Sequence, residues 1–162
     1  MKLSKSAWNN VVIFSVMLII LVINSTNNRL FPDNETNDEL VLPDHSVILT
    51  LAAKLPNDTS VVFERVARAW KTTNQGILVD LTNQQIEQMM LTWQQSSGLV
   101  QASDIVVEGQ EGVEIILSLA SVELEQKFTL YPLSDQLLVY NQQKKLWLAL
   151  PAAMSHQLVP IF

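Results

Sequence analysis

Histidine and cysteine, two residue types that often carry out chemistry, are rare or absent in this chain. There are two histidines, His45 and His156, and no cysteine. Neither histidine has a second ligand at metal-binding spacing such as H-x-x-x-H, so we interpret both as solvated or capping residues. The sequence also has no G-x-S-x-G, P-loop or dinucleotide-binding motif. We therefore assign no catalytic, cofactor-binding or metal-ligating residue and predict a protein that is not an enzyme and uses no cofactor.

Carboxylates are numerous, and one pair invites a catalytic interpretation. Glu123 and Glu125 are two residues apart in a segment with strand-like alternation, so they would share one face of that strand. A hydrolase of the glycosidase type needs two facing carboxyl groups. Here the shared face is the predicted solvent face, which favours a solubilising role. A hydrolase using paired carboxylates is thus the least favoured alternative.

Large apolar side chains offer a second kind of site. Trp70, Trp93 and Trp147 would suit a platform for sugar stacking, and Met89 with Met90 would suit an adaptable groove for a partner. For each of these residues, packing in or beside the core is the more ordinary role. The sequence therefore keeps a periplasmic module that binds a glycan, lipid or peptide as an alternative function.

The clearest element that would position such residues is a helix over residues 82–97. Thr82 is a suitable N-cap, and Gln85 three residues later completes a capping box. Gly98 follows as the expected left-handed terminator. The helix carries one apolar stripe at i, i+3, i+4 and i+7, formed by Ile86, Met89, Met90 and Trp93.

Strands are predicted around this helix. Residues 46–51 form the first, and residues 60–72 form two strand pieces that bend near Ala67 and Arg68, although helical spacing there leaves a helix open. Strands over residues 99–108, 113–120, 122–131, 136–140 and 146–150 follow, and a short helix comes after Pro151. Two sets face the core: Val113, Ile115, Leu117 and Leu119, then Val122, Leu124, Phe128 and Leu130. This alternation predicts an α+β fold, with an antiparallel β meander packed on one main helix.

The N-terminal part has a different character. Residues 11–23 are almost entirely apolar, and with residues 7–10 they reach the length of a transmembrane helix. Lys2 and Lys5 precede this run, which places residues 1–6 in the cytoplasm by the positive-inside rule. A cleaved signal peptide is the alternative, but the residues after the run match a cleavage site poorly. We predict a transmembrane helix over residues 7–23, a flexible acidic linker over residues 24–45 and a periplasmic domain over residues 46–162.

Net charge limits the partners of that domain. The whole chain has a formal net charge of −6, and leaving out the two bases Lys2 and Lys5 makes it −8. This charge belongs to the linker and the domain together, and an acidic region is repelled by phosphate backbones, so we expect no nucleic-acid partner.

The order of elements resembles a known group of proteins. Strands leading to Arg68-Ala69-Trp70, a Gln-rich helix and a meander ending in Leu146-Trp147-Leu148 are similar to uncharacterised single-span inner-membrane proteins of gammaproteobacteria with a small periplasmic α+β domain. The pattern more distantly resembles repeats in periplasmic auxiliary subunits of some ABC exporters. The resemblance implies location in the bacterial inner membrane. The single anchor, the acidic linker and the absence of a catalytic motif lead us to expect an accessory domain that binds a protein partner in an inner-membrane assembly.

Overall fold

The computed structural model describes residue 11 and residues 13–19 and 37–160, and the chain divides into two units, Met1–Thr36 and Asn37–Phe162. In the first unit, residues 13–19 are helical, and the Ser15 hydroxyl donates to the Val11 carbonyl at 2.8 Å. None of the helices formed by the described residues has the length and apolar character needed to cross a membrane. Residues 7–10, 12 and 20–23 of the predicted span lie outside the described residues.

The second unit is an α+β fold built on an antiparallel sheet, which has nine strands within residues 37–160. The strands are β1 (Asp38–Leu40), β2 (Ile48–Lys54), β3 (Ser60–Val66), β4 (Ala69–Gln75), β5 (Ser97–Val100), β6 (Val113–Leu119), β7 (Val122–Pro132), β8 (Gln136–Asn141) and β9 (Leu146–Pro151). The helices of this unit are α1 (Asn83–Gln95) and α2 (Met154–Leu158). Their spatial arrangement confirms the predicted α+β class and the antiparallel character of the sheet.

Seven strands of the sheet form two meanders that pair side by side, and β5 and β1 extend the sheet beyond β9. Its strand order is β1-β5-β9-β8-β7-β6-β2-β3-β4, so β2–β4 form one meander, β6–β9 form the other, and β2 pairs with β6 between them. Helix α1 connects β4 at one edge of the sheet to β5 near the opposite edge. The predicted bend near Ala67 and Arg68 is confirmed as the turn between β3 and β4, which pair along their whole length.

The core lies between α1 and one face of the sheet. The capping box predicted for Thr82 and Gln85 is present, and the predicted stripe of Ile86, Met89, Met90 and Trp93 is buried. Alternate residues of the strands supply the facing layer, as β6 shows with Val113, Ile115, Leu117 and Leu119. Burial of these side chains is the main source of stability for the unit, because it removes a large apolar area from water.

Gly98 does not end the helix, contrary to the prediction. The C-cap is Ser96 in extended conformation, and Gly98 lies within β5 without a positive φ. Strand β9 approaches Gly98 closely, since a Cβ atom there would lie 2.7 Å from Leu150 Cδ1 and 3.0 Å from the Ala149 carbonyl oxygen. Glycine is therefore required by packing against β9 rather than by a helical terminus.

The prediction that Leu124 faces the core is also wrong, since its side chain is 74% exposed. Leu117 pairs with Gln126 but Leu119 pairs with Val122, so residues 123–125 of β7 all oppose Ser118 of β6. Such a bulge interrupts the alternation of faces that the pattern assumed. Phe128 and Leu130, beyond the bulge, are buried as predicted.

Two segments differ from the predicted boundaries. The predicted strand over residues 99–108 ends at Val100 because its partner β9 begins nearby, and the Gln101 amide makes the last bond, to the Trp147 carbonyl at 2.9 Å. The compact unit begins at Asn37 rather than at residue 46: β1 pairs with β5, and Val41 and Leu42 are each 1% exposed. Residues 24–36 of the predicted linker lie outside the described residues.

Candidate functional site

The residues first considered for chemistry lie in separate, open positions. His45 precedes β2, and its Nδ1 atom lies 3.2 Å from Asp44 Oδ1 with both side chains largely exposed, while His156 belongs to α2. Glu123 and Glu125 are exposed in the bulged part of β7. Among the described residues there is no group of three or more His, Asp or Glu side chains arranged to hold a metal ion. The structure therefore brings together none of the catalytic or metal-binding pairs that the sequence raised.

The three tryptophans considered for a shared platform occupy three different places. Trp93 is fully buried in the core, and Trp70 lies on edge strand β4. Trp147 lies on the sheet face opposite α1, with ring centroids 4.7 Å from Tyr140 and 5.7 Å from Tyr131. Sequence reasoning missed the two tyrosines. Both alternate with core-facing residues of their strands, β7 and β8, and this alternation was the signal that they share a face with Trp147.

The interface between α1 and the sheet is filled. The rings of Trp93 and Phe128 have centroids 5.7 Å apart, and neither side chain is exposed. Leu117 is also fully buried, and Met89 is 4% exposed. Helix and sheet are thus in direct contact where a ligand between the two layers would need space.

One surface groove follows the two helices of the unit. It has a volume of about 370 Å³, with Leu81, Met89 and Pro160 as its apolar part. Its polar lining consists of Gln85, Gln88, Thr92, His156 and Gln157. An apolar floor with several hydrogen-bonding side chains is the usual character of a small-ligand site.

A second surface feature is the hairpin formed by β3 and β4. All residues from 64 to 69 are exposed, and Ala67 in the turn has a φ of 56°. Arg65, Arg68 and Lys71 lie in this hairpin, and Val66 at its tip is 52% exposed. We call residues 64–71 the basic hairpin, because its three bases and one acid give it a formal charge of +2 in a domain that is otherwise acidic.

The base of this hairpin is fixed to the first turns of α1 through Trp70. The Trp70 main-chain N–H donates to Asn83 Oδ1 at 2.7 Å, and its indole Nε1–H donates to Glu87 Oε2 at 2.7 Å. The Arg65 guanidinium lies 6.0 Å from the Trp70 ring centroid, at the outer limit of a cation–π contact. Asn83 and Glu87 are one turn apart on α1, so one face of the helix holds edge strand β4 in place.

Sequence reasoning did not connect Asn83 and Glu87 with Trp70. Their i, i+4 spacing was the available signal, but nothing local indicated that edge strand β4 would lie against that face. No family model matches this chain, and neither a curated protein nor a solved structure matches it.

Proposed function

We propose that this chain is a membrane-anchored accessory domain that binds a protein partner in an inner-membrane assembly of the bacterial envelope. Residues 7–23 are the single-pass transmembrane helix, residues 1–6 lie in the cytoplasm, and the α+β domain lies in the periplasm. The apolar run supports the span, and the two lysines before it, against the single base Arg29 soon after it, support the orientation.

The observation that carries the proposal is the filled interior of the domain. Trp93, Phe128 and Leu117 close the space between α1 and the sheet, and the two histidines and the Glu123–Glu125 pair lie in open positions. A domain with this arrangement acts through its surface, as interaction modules do. The basic hairpin and the groove along the helices are the features of that surface with the most distinct chemistry.

The topology is tested on the full-length protein in cells. N-terminal sequencing of the mature protein should find the original N-terminus, and protease added to spheroplasts should digest the domain while leaving a short membrane-protected fragment. A mature N-terminus near Asn27, or a domain that resists protease until the inner membrane is opened, would contradict the anchor or its orientation.

The partner is tested by photocrosslinking in the same cells. A photoreactive amino acid at Gln88, which is exposed on α1, should give one discrete crosslinked product. The same amino acid at Leu124, exposed on β7, is the matched control for nonspecific capture. Products that are identical at both positions, or absent from both, would count against a defined partner on the helical side.

The groove along α1 and α2 supports a second function, binding of a glycan, lipid or peptide. The variant Gln88→Trp fills this groove, whereas Gln84→Trp places the same ring on α1 outside it. A compound that raises the melting temperature of the wild type and of Gln84→Trp, but not of Gln88→Trp, would establish the ligand site. Equal responses of all three proteins would exclude the groove as that site.

A further inference from the structure

The basic hairpin concentrates positive charge against the sign of the rest of the domain. It holds three of the eight bases that follow residue 23, and the remaining five are accompanied by 15 acidic residues. The ion pairs found within the described residues involve His45, Lys54 and Lys144. None of them includes a base of the hairpin. The charge of the hairpin is therefore available to an external anion.

Two acidic side chains accompany the hairpin, and its three bases outnumber them. Glu64 lies opposite Lys71 in the register of β3 and β4. Glu87 accepts the hydrogen bond from the Trp70 indole. Arg65 and Arg68 flank the turn on either side of Val66 and Ala67, so the tip itself carries two guanidinium groups.

The tip also combines charge with apolar surface. Val66 is 52% exposed between the two arginines, and the half-buried ring of Trp70 lies at the base of the hairpin. Arginine, tryptophan and an exposed aliphatic side chain together are typical of protein surfaces at a membrane interface.

We propose that the basic hairpin contacts the anionic lipid headgroups of the bilayer in which the chain is anchored. The proposal rests on the membrane anchor proposed above, since the anchor keeps the bilayer at a high effective concentration near the hairpin. The acidic β6–β7 hairpin lies at the same end of the sheet, with β2 between it and β3. Its repulsion from the lipid tilts the domain so that the β4 edge, with the basic hairpin, faces the bilayer.

The chain between the apolar run and β1 is long enough for this contact. Residues 24–37 number 14 and reach at most about 50 Å when extended. The sheet places β1 and β4 at opposite edges, eight strand spacings apart, which is about 38 Å along the sheet. The linker can therefore span the width of the sheet, and attachment at the β1 edge does not prevent the β4 edge from reaching the bilayer.

The expected strength follows from the charge of the hairpin. Each unit of positive charge near an anionic surface strengthens binding about fivefold, so the formal charge of +2 supplies roughly 25-fold. Removing the two arginines at the tip should weaken the contact about 25-fold.

The test uses the full chain in lipid nanodiscs with one environment-sensitive fluorophore. Because the chain has no cysteine, Ala69→Cys gives a single labelling site in the basic hairpin. In discs containing phosphatidylglycerol the emission should increase and shift to shorter wavelength, in phosphatidylcholine discs it should not, and high salt should remove the change. A label at Leu78→Cys, which is exposed in the loop beyond the opposite end of β4, should respond to neither lipid.

Two matched double variants identify the bases involved. Arg65→Gln with Arg68→Gln should abolish the fluorescence change, whereas Lys54→Gln with Lys145→Gln, which removes the same charge elsewhere, should leave it intact. Circular dichroism checks that both double variants keep the strand and helix content of the parent.

Failure of this proposal is distinguishable from failure of the proposed anchor. A chain that does not co-elute with nanodiscs contradicts the anchor. A chain that incorporates but gives the same emission in both lipids, or loses its signal equally in both double variants, overturns the hairpin contact. A change that appears only when an acidic soluble protein is added also overturns it, in favour of a protein ligand.

Discussion

Two tryptophans in this domain make the same kind of hydrogen bond in opposite surroundings. Trp93 on α1 is fully buried and donates its indole N–H to the Leu158 carbonyl at 2.8 Å. Trp70 on β4 is half-buried and donates its indole N–H to Glu87 Oε2 at 2.7 Å. The lengths are nearly equal, so the two sites differ in the acceptor, a neutral carbonyl against a carboxylate, and in how much water each can reach.

That difference determines what each region can do. Around Trp93 a lost contact leaves a cavity and a lost donor leaves a carbonyl unsatisfied, so the side chain is essential to the fold. Around Trp70 water replaces a lost partner, which makes the contact weak but leaves the nearby side chains accessible. Helix α1 joins the regions, because it carries Trp93 on one face and the partners of Trp70 on another.

The largest effect should come from Trp93→Ala. It removes the ring that packs on Phe128 and the donor to Leu158, and we expect a loss of about 3–5 kcal/mol in the free energy of unfolding. Urea unfolding of the full chain in detergent, followed by circular dichroism, measures this loss, with Trp70→Ala as the matched variant. Equal losses for the two variants would refute the distinction between the two regions.

Gly98→Ala should rank next, at about 1–3 kcal/mol. The added methyl group would lie 2.7 Å from Leu150 Cδ1 and 3.0 Å from the Ala149 carbonyl oxygen, and the backbone atom cannot rotate away. Gly109→Ala is the control, since no atom lies within 4 Å of its Cβ and only its φ of 72° is unfavourable, at about 1 kcal/mol. A smaller effect at Gly98 than at Gly109 would show that β5 does not pack against β9 as described.

Thr82→Ala tests the start of the helix that joins the two regions. The Thr82 hydroxyl accepts from the Gln85 amide at 3.3 Å, and its main-chain N–H donates to Gln85 Oε1 at 2.8 Å. Losing the cap should cost about 1 kcal/mol in the same unfolding assay. Thr73→Ala, on the exposed edge of β4, should change the stability by less than about 0.5 kcal/mol, and the reverse ranking would contradict the cap.

The features that the sequence predicted correctly depend on residues close together in the chain. The capping box, the apolar stripe of α1, the bend near Ala67 and the burial of alternate residues in β6 all follow from local spacing. A period of 3.6 or 2 is enough to identify such elements and their buried faces.

The features that the sequence did not predict depend on which elements meet in space. The Gly98 contact needs β9, the bulge at Leu124 needs the register of β6, and the pairing of β2 with β6 joins segments far apart in the chain. The candidate site belongs to this second group, because Trp70 meets Asn83 and Glu87 only when β4 lies against α1. Local sequence patterns do not specify such tertiary contacts. A polar helix face that contacts a strand therefore looks the same in sequence as one that faces solvent.

Trp70→Phe should give the smallest effect and the most informative one. The ring stays near Arg65, but the hydrogen bond to Glu87 is lost, and because water can reach both groups we expect only about 0.5 kcal/mol. Hydrogen exchange should rise locally in β4 and in the first turn of α1 while the amides opposite Trp93 keep their protection. Glu87→Gln, which retains an acceptor oxygen, should change exchange less than Trp70→Phe does. If exchange instead rose throughout the domain, the Trp70 contact would belong to the cooperative core, and the β3–β4 edge would not be the separately adjustable surface that an interaction site requires.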